Sequence, residues 1–560
     1  MNRIYLLLFL LIPYSNIFSQ KKLQFNNQDT LRGSNGSGRQ KWNVVHYDIT
    51  VKPNVQEQTL TGISIIKYID SGNNVLQIDL QEPMVIDSII QNQSALTYTR
   101  DKNVYWVNTS GSGKNDASFT TKMLVIYFQG KPRKAVNPPW DGGWIWKKDK
   151  AGNPWISVAC QGLGASCWYP CKDIQSDEPD SGAILRIIVP DSLTGIGNGR
   201  LLSSIALPSG FTQHNWEVRN PINNYNIVPY IGKYTNFSET YNGENGKLDM
   251  NYWVLNYSLE KAKNQFKDAV RMMEAFEYWF GPYPFYEDGY KLVEAPHLGM
   301  EHQSAIAYGN QYKNGYLGRD LSGSGWGLKW DFIIVHESGH EWFANNITTN
   351  DIADMWVHEG FTNYSETLFT EYFYGKKAAE DYISGIRKDI QNDKPIIGYY
   401  GVNNEGSGDM YNKGGNMIHT IRQIIGDDKK FRTILRGLNN NFYHKTVNSQ
   451  DIEQYINEAA GMDFSSIFNQ YLRTTKIPTV EYYLTKKKLY YRWKDAIDNL
   501  YLPIEVNTDE KKSIKIIPSN EWKAIKIGKR SSSNRFSVNR NYYVLTQQIF
   551  DKKKQSVFDD

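Results

Sequence analysis

The stretch HESGHEWFANNITTNDIADMWVHEGFTNYSE, residues 336–366, constrains this chain more than any other. His336 and His340 are four apart, so on a helix they share one face. Glu337 sits beside them. Eighteen residues separate His340 from Glu359, enough for the chain to turn and lay a second helix alongside the first. Two imidazoles and one carboxylate then converge on one point. That is the donor set of a catalytic His₂Glu zinc site, with the fourth position left for water. The competing reading is a surface helix with solvated polar side chains. The flanks argue against it: Trp330, Phe332, Ile333, Val335, Trp342 and Phe343 make this helix apolar, and buried histidines and a glutamate need a partner. One Zn²⁺ per chain is the expectation.

Around this motif the chain of 560 residues is too long for a single core, and length suggests several domains. Net charge is only +4, so nothing asks for nucleic acid or an anionic surface as partner. Lysine runs such as Lys486–Lys488 and Lys552–Lys554 read as solvated edges. Arg3, the apolar run Tyr5–Ile12, and Ile17, Phe18 and Ser19 before Gln20 read as an export signal over residues 1–19. An uncleaved, anchored N-terminus is the alternative. No later segment is long and apolar enough to cross a bilayer, so the expected protein is periplasmic or secreted, without stable membrane insertion. Cys160, Cys167 and Cys171 are the only cysteines. Two of them can form one local disulfide, or all three can stay thiols.

Two changes of hydrophobic period divide the chain into a multidomain α+β protein. Residues 20–255 carry short alternating runs (HYDITVKPN, TGISIIKYI, KMLVIYF, AILRIIV) and are expected to form an antiparallel β domain. Within it, the Trp-rich segment Pro138–Pro154 reads as a long hairpin or loop. Trp140, Trp144 and Trp146 either line a cleft there or pack beneath the loop. From LEKAKNQFKDAVRMMEAFEYWFG at 259 onward the spacing is helical, and residues 256–474 are expected to be mostly helical and to carry the metal. Alternation returns after Thr475 (TVEYYL, KLYYRW, LPIEV), predicting a C-terminal β-sandwich over 475–560.

A zinc ion on three protein ligands polarises a carbonyl and lowers the pKa of bound water. Glu337, adjacent to a ligand but free of the metal, is the natural general base. Attack on an amide also builds an oxyanion that needs a second stabiliser. A tyrosine, arginine or histidine can serve, and the pattern does not choose among them.

HExxH-x₁₈-E followed by GFTNYSE resembles the gluzincin aminopeptidases, the family of aminopeptidase N and leukotriene hydrolase. Other landmarks fall in that family's order: HYDITVKP at 46, QGLGASCWYPCKD at 161, GMEHQ at 299 and YNKG at 411. The resemblance implies a thermolysin-like catalytic domain, a zinc cofactor, and peptide substrates with a free N-terminus. It assigns Tyr411 to the oxyanion, Glu301 to the substrate's α-amino group, and Gln161, Gly299 and Met300 to substrate binding. Glu366 is a second partner for a ligating histidine. The chain departs from the pattern at Leu298, His302 and His358, which alters the shape expected of the amine pocket. His297, His302 and His358 read as wall or structural histidines, not ligands. No room remains for the family's large C-terminal helical domain, so a more open cleft is expected. The sequence sets no oligomeric state. Competing functions are a zinc endopeptidase on the same site, iron-dependent oxygen chemistry on the same donors, and a non-catalytic peptide-binding scaffold.

Overall fold

The computed structural model describes residues 24–549 except 73, 110–120, 486, 510–511 and 528–535. The expected export signal at 1–19 lies outside the described residues. Among them, no helix is long and apolar enough to cross a membrane.

Alternating strands in the first half build an eight-stranded sheet, in the order Arg200–Leu207, Phe211–Val218, Ala183–Pro190, Trp42–Asn54, Thr59–Asp70, Thr121–Gly130, Val85–Gln91, Ser94–Ala95. Ala183, Leu185, Ile187 and Val189 are buried while the residues between them are half-buried, the period of two that gives a sheet one core face. One pair in this antiparallel sheet is parallel: Trp42–Asn54 runs alongside Ala183–Pro190. These two strands are far apart in sequence, so no tight turn fixes their relative direction.

The Trp-rich segment is a hairpin, Gly143–Lys148 against Pro154–Ala159. Both readings of its tryptophans are realised, by different residues. Trp144 is fully buried against Trp146 and Trp168, whereas Trp140, on the loop before the hairpin, is exposed.

Residues 281–331 lie within the region expected to be mostly helical. Three strands occupy part of it: β1 (Tyr290–Glu294), β2 (Gly299–Met300) and β3 (Ile306–Tyr308). They extend the hairpin Tyr234–Gly243/Gly246–Leu255 into one five-stranded sheet. Every residue of β1 is buried. A strand buried on both faces shows no alternation, and short apolar runs of this kind cannot be told from helix by pattern. The expected boundary at 255 falls at the end of a strand that pairs with β1.

Helices α1 (Lys267–Phe280) and α2 (Phe332–Gly339) pack beside this sheet, α3 (Trp356–Tyr374) packs on both of them, and α4 (Asn412–Ile425) packs on α3. Helix α1 buries Ala269, Met272, Met273, Phe276 and Phe280 on one face and stops at Gly281, whose φ of 96° ends the helical turn. Asp331 caps α2 by accepting from the amides of Ile333 and Ile334. Helix α3 is buried from Trp356 to Thr370. It meets α4 where two glycines face each other: a Cβ on Gly414 would lie 3.1 Å from the Gly360 Cα, so side chains there would hold Tyr411 away from Glu359.

After residue 475 two small sheets share a core. One orders Lys523–Lys526, Lys488–Lys494, Thr479–Leu484 and Leu545–Gln548; the other orders Lys512–Ile516, Ile504–Asp509 and Ser537–Val538. Val480, Leu489 and Trp493 of the first are buried in one cluster with Ile504, Val506 and Ile516 of the second.

Candidate functional site

Helix α2 carries His336 toward α3, His340 follows as its C-terminal cap, and the chain breaks from helical geometry at Phe343 and Ala344, just beyond the second histidine. The turn lets strand Ile347–Thr349 and a short 3₁₀ segment return the chain into α3. Glu359 then faces both imidazoles. Its Oε2 lies 3.7 Å from His336 Nε2 and 3.4 Å from His340 Nε2. Donor atoms of the three residues all fall within 4.8 Å of one another, and all three residues are buried.

The far side of each ring fixes its tautomer. His336 Nδ1 is 2.8 Å from Glu366 Oε1, and His340 Nδ1 is 3.1 Å from the carbonyl oxygen of Phe343. Carboxylate and carbonyl oxygens accept, so both Nδ1 atoms carry protons and both Nε2 lone pairs face Glu359. Glu366 is itself held by the Tyr382 hydroxyl at 2.6 Å, which sets the ring of His336 as an outer partner sets a metal ligand. Glu359 Oε2 is a buried oxygen without a hydrogen-bond partner among the described residues. Burial opposes charge on His336, yet Glu359 and Glu366 raise its pKa well above the ordinary imidazole value. The same negative field that draws protons draws a divalent cation. Three convergent donors with an orphaned oxygen among them fit zinc.

Glu337 is half-buried on the cleft side of α2. Burial pushes its carboxyl up to about 7 against the opposing pull of His336 and His340, a value suited to accepting a proton near neutrality. Gly299 lies against it: a Cβ there would fall 2.4 Å from Glu337 Oε1 and 3.0 Å from its Cδ. The glycine therefore clears space for the carboxylate as well as for a peptide. Tyr411 is half-buried, its ring 5.9 Å from that of His336 and nearly parallel to it. Burial first, then the carboxylates of Glu359, Glu301 and Glu337, hold its phenol well above the ordinary range, so it remains a hydrogen-bond donor.

Glu301 follows β2 and is 3% exposed. Its Oε1 accepts from Gln161 Nε2 at 2.5 Å and from the Tyr225 hydroxyl at 2.9 Å. Asn345 donates to its backbone oxygen at 2.8 Å. Burial raises its carboxyl, and nearby His340 works the other way. Its ligand atoms converge with those of Glu337 and His340 within 4.8 Å, so the second acid stands beside the first group of donors. Gln161, Gly299, Met300, Glu301, His336, Glu337, His340, Glu359, Glu366 and Tyr411 all line one cleft of about 960 Å³.

Tyr225 and Asn345 escaped the sequence reading. Neither stands in a motif; only the docking of the β-rich region on the helical one brings Tyr225 to Glu301. Of the remaining histidines, His302 meets the Tyr230 hydroxyl at 2.5 Å and His358 accepts from the Thr349 amide at 2.9 Å. Both are wholly buried and neither lines the cleft. Cys160, Cys167 and Cys171 are buried free thiols. The cleft wall also includes Asn403, which donates to the Gly162 carbonyl at 3.0 Å. Gly33 of the N-terminal helix Asn27–Gly33 presses on this wall so closely that a Cβ would overlap the Asn403 backbone nitrogen.

Residues 264–471 match the Peptidase family M1 domain. The candidate metal donors lie within these matched residues. The chain is 22% identical over 518 residues to aminopeptidase N of Lactobacillus helveticus, a match covering 83% of this chain and 56% of that protein. It is 21% identical over 362 residues to aminopeptidase B of Rattus norvegicus, covering 60% and 52%. The chain thus spans about half the length of these two relatives. Among solved structures, an M1 zinc metallopeptidase from Deinococcus radiodurans superposes with a TM-score of 0.66 at 18% identity, over 79% of this chain and 95% of that one. A mutant of the D. radiodurans M1 zinc metallopeptidase bound to a Tyr-Ser-Ala substrate gives a TM-score of 0.64 at 18% identity, over 79% and 96%. At this identity the structural likeness is one of fold. The M1 region contains Glu301, the whole HExxH-x₁₈-E segment and Tyr411, while Gln161 and Tyr225 lie before it.

Proposed function

We propose that this chain is an exported, zinc-dependent aminopeptidase that removes the first residue from peptides with a free N-terminus. One observation carries the reading: the buried Glu301 carboxylate stands within the same small volume as Glu337 and His340. An anion fixed beside the general base sets the register of a peptide, because an ammonium group bound there leaves only the first amide over the base.

His336, His340 and Glu359 would hold the zinc, which when bound supplies Lewis-acid activation of water and of the scissile carbonyl. Glu301, oriented by Gln161 and Tyr225, binds the α-ammonium. Glu337 takes a proton from the attacking water and returns it to the departing amine. The Tyr411 hydroxyl donates to the oxyanion as it develops, a contact stronger in the transition state than in the ground state. Gly299 and Met300 offer an extended backbone edge to the substrate. Export rests on the charged and apolar pattern of residues 1–19, and the N-terminal residue of mature protein recovered outside the cytoplasm tests it.

The decisive comparison is an amino-acid arylamide or short peptide against its N-acetylated form, with and without a chelator. The expected result is hydrolysis of the free amine, loss of most activity on acetylation, and loss of all of it on chelation. Equal cleavage of both forms would turn the reading to an endopeptidase. No cleavage by the zinc-loaded protein would turn it to a peptide-binding scaffold.

A further inference from the structure

The loop before the Trp-rich hairpin is held rigidly, and it presents a side chain that nothing in the fold needs. Asp141 accepts from the amides of Val136 at 2.6 Å and Asn137 at 2.9 Å, and Arg133 donates to its carbonyl at 3.1 Å. The Gly142 amide donates to the Pro139 carbonyl. On this tied loop Trp140 is 65% exposed, and among the described residues no ring and no hydrogen-bond partner holds its indole. Trp144, four residues on, is completely buried. An exposed, preorganised indole in a concave site is the side chain most often used for binding.

Its place in the cleft is set by a chain of contacts. Trp140 and Asp141 line the same cavity as the catalytic groups. Leu163 packs against the loop, since a Cβ on Gly142 would lie 2.7 Å from Leu163 Cβ. The Leu163 amide turns back onto the Gln161 carbonyl at 2.6 Å, and Gln161 holds Glu301. Trp140, Leu163 and Gln161 thus form one wall leading to the amine anchor. Leu298, Tyr316, Leu321 and Phe332 also line the cleft.

We infer that Trp140, backed by Leu163, is a specificity-determining wall for the side chain of the substrate's first residue, and that it selects a flat aromatic side chain there. The inference rests on the aminopeptidase reading and names the substrate class of that site. An aromatic ring stacks on the indole and removes its exposed face from water. A small first residue leaves that face wet. The Asp141 carboxylate beside the indole is tied down by the amides of Val136 and Asn137.

The test uses the zinc-loaded full chain, with Trp140→Ala and Trp140→Phe, on phenylalanyl, alanyl and lysyl arylamides. The parent should favour the phenylalanyl substrate. In Trp140→Ala the phenylalanyl-to-alanyl ratio of kcat/KM should fall about tenfold, and Trp140→Phe should restore most of it. A second readout needs no turnover. In a Glu337→Gln background, calorimetry should show tighter binding of L-phenylalaninamide than of L-alaninamide, with the difference lost in Trp140→Ala. An unchanged ratio overturns the inference, as does an equal loss on all three substrates or a change in selectivity at the second residue instead of the first. If the parent neither cleaves nor binds any free-amine compound, the aminopeptidase reading itself has failed. A parent that discriminates, with a Trp140→Ala variant that discriminates equally well, defeats this inference alone.

Discussion

The two halves of the candidate site are built in opposite ways. The metal donors and the outer partner Glu366 come from α2 and α3, joined by one short turn, and their geometry follows from helical spacing within a single stretch of sequence. The proposed amine pocket draws Glu301 from the end of β2, Asn345 from the break after α2, and Gln161 and Tyr225 from the β-rich region. One is made by local structure, the other by two domains pressed together. A change that disturbs one should therefore leave the other measurable.

Four substitutions test this separation. The largest loss is expected for Glu337→Gln, where turnover should fall on the order of 10³-fold while zinc content, measured by metal analysis, stays at one per chain. Loss of the metal in that variant would mean that α2 cannot tolerate the change, and would blur the division. Glu301→Ala comes next. Removing a buried anion that pairs with a substrate cation should cost roughly 100-fold in kcat/KM on free-amine arylamides, with metal content intact and little effect on an N-acetylated peptide. Glu366→Ala addresses the other half: zinc affinity, read by competition with a chelator, should weaken by about 10- to 100-fold because His336 loses the acceptor that orients it. The smallest effect is expected for Tyr225→Phe. It deletes one hydrogen bond to a charged group and should lower kcat/KM on free amines by about tenfold with zinc affinity unchanged. If Tyr225→Phe instead released zinc, the two halves would be coupled through Glu301 and the division would not hold.

What could be read from the sequence divides along the same line. His336, Glu337, His340 and Glu359 are legible because one helix and one turn determine where they go. Tyr411 and Glu301 could be proposed only through motif order, since neither spacing nor burial singles out one tyrosine or one acid. Tyr225 was invisible, because no local pattern encodes a contact made by docking. For the fold, strands with one wet face announced themselves by alternation, as in Ala183–Pro190. Strand β1, buried on both faces, did not. The parallel pairing of Trp42–Asn54 with Ala183–Pro190 was missed for a related reason: a partner brought from far along the chain carries no turn signal.

The seat of Gly33 against Asn403 has a consequence that reaches past the first domain. Asn403 is clamped from two directions, by the bare α-carbon of Gly33 and by the carbonyl of Gly162. One side of the cleft is thereby braced by the helix Asn27–Gly33. Loosening that brace, by proteolysis ahead of Ser34 or by a methyl group on Gly33, would widen the entrance and blunt substrate choice, leaving the zinc donors where they are.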